Sequence, residues 1–172
     1  MARNVLKGAN SLHITHQVRH MTLSELSEKA TIIAGQQRVL RSHWNHYGNS
    51  LIQAITLSKA SLHLTVGCHT DSGLGFWLFE HFLIRVTPEQ AFNGHIFNYT
   101  VEERDNPETV LIGRARLGDD GMLDGEINID QREAVLNHFL NKISGVYAAI
   151  WQATQRGESL TLAVLAQHHA AV

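Results

Sequence analysis

The sequence predicts an α+β fold: an N-terminal long or kinked helix (or helix pair), a four-stranded antiparallel sheet, and a C-terminal helix packed on that sheet. Three observations predict it. Apolar residues recur at steps of three and four from Leu23 onward, the spacing of one helix face. Between residues 76 and 129 the period changes to two, and the apolar runs are joined by hairpin-length connections. A second helical stripe, Val135, Phe139, Ile143, Val146 and Ile150, follows an acidic cap. Strands without intervening crossover helices pair antiparallel, which argues against a parallel nucleotide-binding sheet.

The first helix opens at a capping box. The Thr22 hydroxyl can accept from the Glu25 amide, while the Glu25 side chain returns to the Thr22 amide. Its stripe reads Leu23, Leu26, Ala30, Ile33, Leu40, Trp44, Tyr47 and Leu51, then Ile55, Leu62 and Val66. Carried to Val66 the helix would be about 66 Å long, against a radius of gyration of about 16 Å for a globule of this chain length. The sequence therefore predicts a bend or break near Gly48-Asn49-Ser50, or a second chain covering the excess. Glycine can end one helix there, and Asn49 or Ser50 can cap the next.

Residues 68–75 read as a loop. Residues 76–86, FWLFEHFLIRV, read as a strand covered on both faces and stopped by Pro88. Residues 95–103 form the second strand, with Phe97, Tyr99 and Val101 on one side, and residues 105–107 a turn. Residues 109–117 form the third strand, Gly118 to Gly121 a tight hairpin, and residues 122–129 the fourth strand. Asp130 then caps a helix that runs to about Arg156, with Gly157 beyond it. Leu136, Leu140, Tyr147 and Trp151 widen its stripe. The last fifteen residues read as a docked short helix or a tail. The organisation expected is an N-terminal extension over 1–20, disordered or from a non-native start, one α+β domain over 21–157, and a tail over 158–172.

Composition bounds the function. The chain has 172 residues, 44% hydrophobic and 17% charged, which suits one globular domain and not a disordered one. Lys and Arg total 14 against 16 Asp and Glu, so the basic excess of a dedicated nucleic-acid binder is missing. The single cysteine, Cys68, excludes an internal disulfide and a Cys-rich metal or iron–sulfur site, and points to a reduced, cytoplasmic protein. No apolar run reaches the length of a membrane span, and the first twenty residues do not read as a signal peptide.

No reactive centre assembles from the sequence. Gly73-Leu74-Gly75 precedes a strand and opens no helix, so it focuses no amides on a phosphate. His13, His16 and His20 have metal-ligand spacing but no apolar stripe to hold them on a helix. His43 and His46 flank Trp44, yet two ligands do not close a site, and they read as a polar flank; His168-His169 is a terminal pair. Glu80 and His81, adjacent in a strand, point to opposite faces. Asp119, Asp120, Asp124, Glu126, Asp130 and Glu133 do not fit a calcium loop, and hairpin and cap duties explain three of them. Cys68 beside His69 lacks a sign of thiolate activation. The reading is a non-enzyme, with no catalytic, cofactor-binding or metal residue and no cofactor.

Five colinear segments resemble the formate hydrogenlyase regulatory (HycA) family of enteric bacteria. They are residues 21–30 (MTLSELSEKA), 49–63 (NSLIQAITLSKASLH), 78–87 (LFEHFLIRVT), 120–129 (DGMLDGEINI) and 144–150 (SGVYAAI). The resemblance implies a cytoplasmic negative regulator of formate hydrogenlyase genes. It implies action against the formate-responsive, sigma-54-dependent activator protein, with no direct nucleic-acid or membrane contact. It transfers no catalytic residue. The contact residues expected for that partner are Arg38, Arg41, Trp44, His46 and Tyr47, on a helix that can also meet its own copy in a homodimer. Two alternatives stand beside this reading. One is a formate sensor or assembly factor, using an aromatic-lined space between Phe76–Val86 and the last helix, with His81 and Arg85 as its polar groups. The other is a metal-dependent enzyme using the histidines.

Overall fold

A computed structural model describes residues 20–70 and 72–170. His13 and His16, and with them the N-terminal histidine pattern, lie outside the described residues. The chain divides into two compact units, one ending at Ala34 and the other Gly35–Val172. In the first, the capping box forms in both directions. The Glu25 amide donates to Thr22 Oγ1 at 3.2 Å, and the Thr22 amide donates to Glu25 Oε2 at 2.8 Å. Leu23, Leu26, Ile32 and Ile33 on this stretch are exposed.

Helix α1 runs unbroken over Leu23–Leu57. The expected break at Gly48 does not occur, because those residues have other duties. A Cβ at Gly48 would stand 3.2 Å from the His69 ring and 3.3 Å from Leu74, so glycine permits a close approach and does not end the helix. Ser50 Oγ is buried and donates to the Ile129 carbonyl at 2.9 Å, so it caps nothing. Nor does the helix reach Val66. It ends at Leu57, and Leu62 and Val66 matched the stripe by accident of spacing, since Val66 belongs to a strand.

The second unit holds one five-stranded sheet where four strands were expected. Its strands are β1 (Leu64–Thr70), β2 (Gly73–Leu78), β3 (Phe82–Pro88), β4 (Ile96–Glu103) and β5 (Thr109–Arg116), antiparallel neighbours in chain order. Two misreadings account for the difference. The stretch assigned to a loop over 68–75 contains the end of β1 and the start of β2. The run 76–86 is two strands, because the chain reverses at Phe79 and Glu80, which take φ of 51° and 56°. The His81 amide closes that turn on the Leu78 carbonyl at 3.1 Å. Glycine or asparagine usually marks such left-handed positions. Here the turn is held by its surroundings instead. The Phe79 ring stacks on His63 with centroids 5.2 Å apart, and Arg104 Nε donates to the Glu80 carbonyl at 3.0 Å.

Residues 122–129 do not form a fourth strand of the sheet. They fold into a separate two-stranded ribbon, β6 (Met122–Leu123) with β7 (Ile127–Asn128), turning at Asp124 and Gly125 with φ of 50° and 72°. Helix α2 covers Arg132–Arg156 and α3 covers Leu162–Ala170. The N-cap of α2 is Gln131, without a side-chain cap; Asp130, expected there, pairs with His46. Gly157 ends α2 as expected, at φ 63°, with its amide on the last-turn carbonyls. A Cβ at Gly157 meets nothing, so Gly157→Ala should cost only the left-handed backbone strain, about 1–2 kcal/mol, read from a urea midpoint shift.

The core lies between one face of the sheet and the helices. Register aligns Leu74 with Val86 and Val86 with Tyr99, and Phe76 with Ile84 and Ile84 with Val101, all fully buried or nearly so. Onto these rows pack Trp44, Tyr47 and Leu51 of α1, Val135, Phe139, Ile143 and Val146 of α2, and Leu162 and Leu165 of α3. The last fifteen residues thus include a docked helix.

Candidate partner-binding groove

Helical spacing places Gln37, Leu40, Arg41 and Trp44 on one side of α1. Opposite them run Pro88 and Glu89, the β3–β4 connection with Ala91, Phe92 and Gly94, and Phe97 of β4. Together they line a groove of about 190 Å³. Its floor is fixed: Trp44 meets Phe97 edge-on with centroids 4.8 Å apart. Its outer wall is a short loop pinned by backbone hydrogen bonds. The Glu89 amide donates to the Ile96 carbonyl at 2.9 Å, and the Gly94 amide to the Ala91 carbonyl at 3.1 Å. Phe92 stands at the tip of that turn and is 68% exposed. It is a large apolar side chain left in water on a pinned loop beside the buried floor.

The five expected contact residues separate. Arg41 and Trp44 line the groove, and Arg38, exposed, lies one turn before Arg41 on the same flank. Tyr47 belongs to the core: it is fully buried, and its hydroxyl meets that of Tyr99 at 3.0 Å. Burial raises the pKa of both phenols. His46 turns away, with Nε2 2.6 Å from Asp130 Oδ1. Phe92 was missed by the sequence reading; the available sign was an aromatic just before the turn residues Asn93-Gly94.

Three further histidines each take a partner of their own. His43 Nε2 lies 2.9 Å from the Asp119 carbonyl oxygen, and His95 Nδ1 lies 2.9 Å from that of Leu117. His138, 6% exposed, places Nε2 2.8 Å from Asp124 Oδ2, where Lys142 Nζ also arrives at 3.2 Å. Asp124 Oδ1 accepts the Arg116 amide at 2.9 Å. Partial burial pushes the Asp124 carboxyl up, but the bonds from His138, the Arg116 amide and Lys142 outweigh it and hold the group below the usual carboxylate value. Histidines thus tie the 117–130 segment to α1, to the start of β4 and to α2. Among the described residues no group of three or more His, Cys, Asp or Glu is placed to hold a metal ion.

The space imagined between Phe76–Val86 and the last helix is filled. Phe76, Ile84, Val86, Phe139 and Ile143 are all fully buried, with the Phe76 and Phe139 rings 5.3 Å apart. His81 pairs with Glu103 and Arg85 with Glu102, so the two do not converge on a ligand. No described helix is long and apolar enough to cross a membrane.

A family model described as "Transcriptional repressor of hyc and hyp operons" matches residues 21–166. The "Formate hydrogenlyase regulatory protein HycA" of Escherichia coli (strain K12) is 47% identical over 145 residues, which is 84% of this chain and 95% of that protein. The proteins of the same name from Escherichia coli O157:H7 and Shigella flexneri match to the same extent. No solved structure matches the chain. The match covers the groove and the whole sheet, and the chain belongs to the HycA family of transcriptional repressors.

Proposed function

We propose that this protein is a cytoplasmic negative regulator of formate hydrogenlyase gene expression. It works by protein–protein antagonism, binding the formate-responsive, sigma-54-dependent activator and keeping it from transcription. The observation that carries this reading is the groove: a pinned loop holds Phe92 in solvent beside a buried Trp44–Phe97 floor and the exposed Arg41. Aromatic and arginine side chains around a partly formed pocket are the common anchors of protein interfaces. The reading makes the protein a binding module that needs no cofactor and no substrate.

The geometry favours this over sensing a small ligand. The groove is lined mostly by apolar side chains, and Arg41, the one cation among the described residues lining it, stands exposed, so a small carboxylate meets no enclosed set of donors there. The cavity at the β5–β6 turn, about 520 Å³, is lined by Asp119, Asp120 and Asp124 beside Arg116, a poor setting for a carboxylate ligand such as formate.

Co-purification with the activator, with and without formate, tests the reading. Phe92→Ala removes an exposed side chain and should leave the fold intact while weakening capture by about thirtyfold, the effect of losing an interface anchor worth about 2 kcal/mol. Capture of the activator that Phe92→Ala and Arg41→Glu both leave unchanged would remove the groove from the interaction; absence of capture would remove the antagonism itself.

A further inference from the structure

Resting on the reading of the groove as a partner site, we infer that its occupant is an acidic segment of a protein: one large apolar side chain with carboxylates beside it. The volume sets the first half of this statement. About 190 Å³ between Leu40, Trp44, Phe92 and Phe97 accommodates one bulky side chain and not a docked domain or a cofactor-sized ligand.

Charge sets the second half. Arg38 and Arg41 stand exposed on the helix flank, one turn apart, and among the described residues neither has an ion-pair partner. Arg85, by contrast, is paired with Glu102 on the sheet. Two unpaired guanidinium groups beside an apolar slot attract carboxylates and offer them bidentate hydrogen bonds. Glu89, the one acidic residue among the described residues lining the slot, comes from the opposite wall, just after β3. The groove is therefore polarised, cationic toward α1 and anionic toward the β3–β4 connection. An occupant must present its carboxylates to the helix side.

A selection of random displayed peptides on the purified full-length protein tests this without the activator. Enriched sequences should carry Phe, Leu, Trp or Ile with Asp or Glu within about one helical turn. Fluorescence anisotropy of the best peptide should show about tenfold weaker binding to Arg38→Glu/Arg41→Glu and a steep loss with added salt. Glu89→Gln should not weaken it. Both arginines are exposed, so matched thermal melts will certify the fold of the charge-reversed protein. Enrichment of basic or uncharged peptides, affinity indifferent to the reversal, or absence of enrichment overturns the inference. So does a dimer in sedimentation that Phe92→Ala dissolves, since the groove would then hold a second copy. Peptides that behave as expected with no capture of the activator would leave this inference standing and defeat the proposed function.

Discussion

Truncating Phe139 to alanine is expected to cost about 3–5 kcal/mol of folding stability, the range for a buried phenylalanine. The side chain is fully buried in the first half of α2, with ring centroids 5.3 Å from Phe76 and 6.3 Å from Tyr99. It joins the middle of the sheet to the helix layer, so the cavity left behind is lined by strands that cannot collapse into it without breaking register. For a domain whose total stability is about 5–15 kcal/mol, that loss is a large fraction of the whole. Urea unfolding checks it through the midpoint at constant m-value. A cost below about 1.5 kcal/mol would mean that the site repacks and that this contact does not hold the layers together.

Asp124→Ala is expected to cost about 2–4 kcal/mol, for two reasons. Alanine at φ 50° carries the left-handed strain that aspartate tolerates better, about 1–2 kcal/mol. Loss of the carboxylate also leaves the buried His138 Nε2 without its partner, worth about 1–3 kcal/mol. The carboxylate is partly exposed, so water replaces some of what Lys142 and the Arg116 amide lose, which keeps the total toward the middle of these sums. Asp124→Asn separates charge from shape. The folded-state pKa of Asp124 lies below its unfolded value, so its contribution is fully present above the unfolded value and is lost as pH falls through the folded one. Thermal melts should therefore show wild type more stable than Asp124→Asn at neutral pH, with the gap closing below about pH 4. Parallel curves from pH 7 to pH 2 would show that the carboxylate charge does not contribute.

Much of the architecture is legible in the residues, and the failures share one cause. The capping box at Thr22 and Glu25, the strand from Ile96 to Glu103, the α2 stripe and the Gly157 stop all follow from local chemistry that operates within a few residues. The misread places are those where a distant part of the chain supplies the reason. Gly48 looks like a helix end until β1 and β2 press against it. Phe79-Glu80 looks like strand until His63, Tyr147 and Arg104 surround the turn. Asp130 looks like a cap until His46 takes it. In the groove, Arg41 and Trp44 were readable as a helix face, whereas Phe92 gained meaning only when the β3–β4 connection came to lie beside that face.

By itself the sequence determined the α+β class, the family, the capped start of the first helix and the glycine stop of α2, because periodicity, capping and extended motifs are properties of neighbouring residues. Tertiary structure alone decided which of the stripe's aromatic residues are core and which border a groove, and which partners His43, His46, His95 and His138 meet. Those outcomes depend on contacts between residues tens of positions apart, where burial and charge pairing are settled by how the layers pack and not by spacing along the chain.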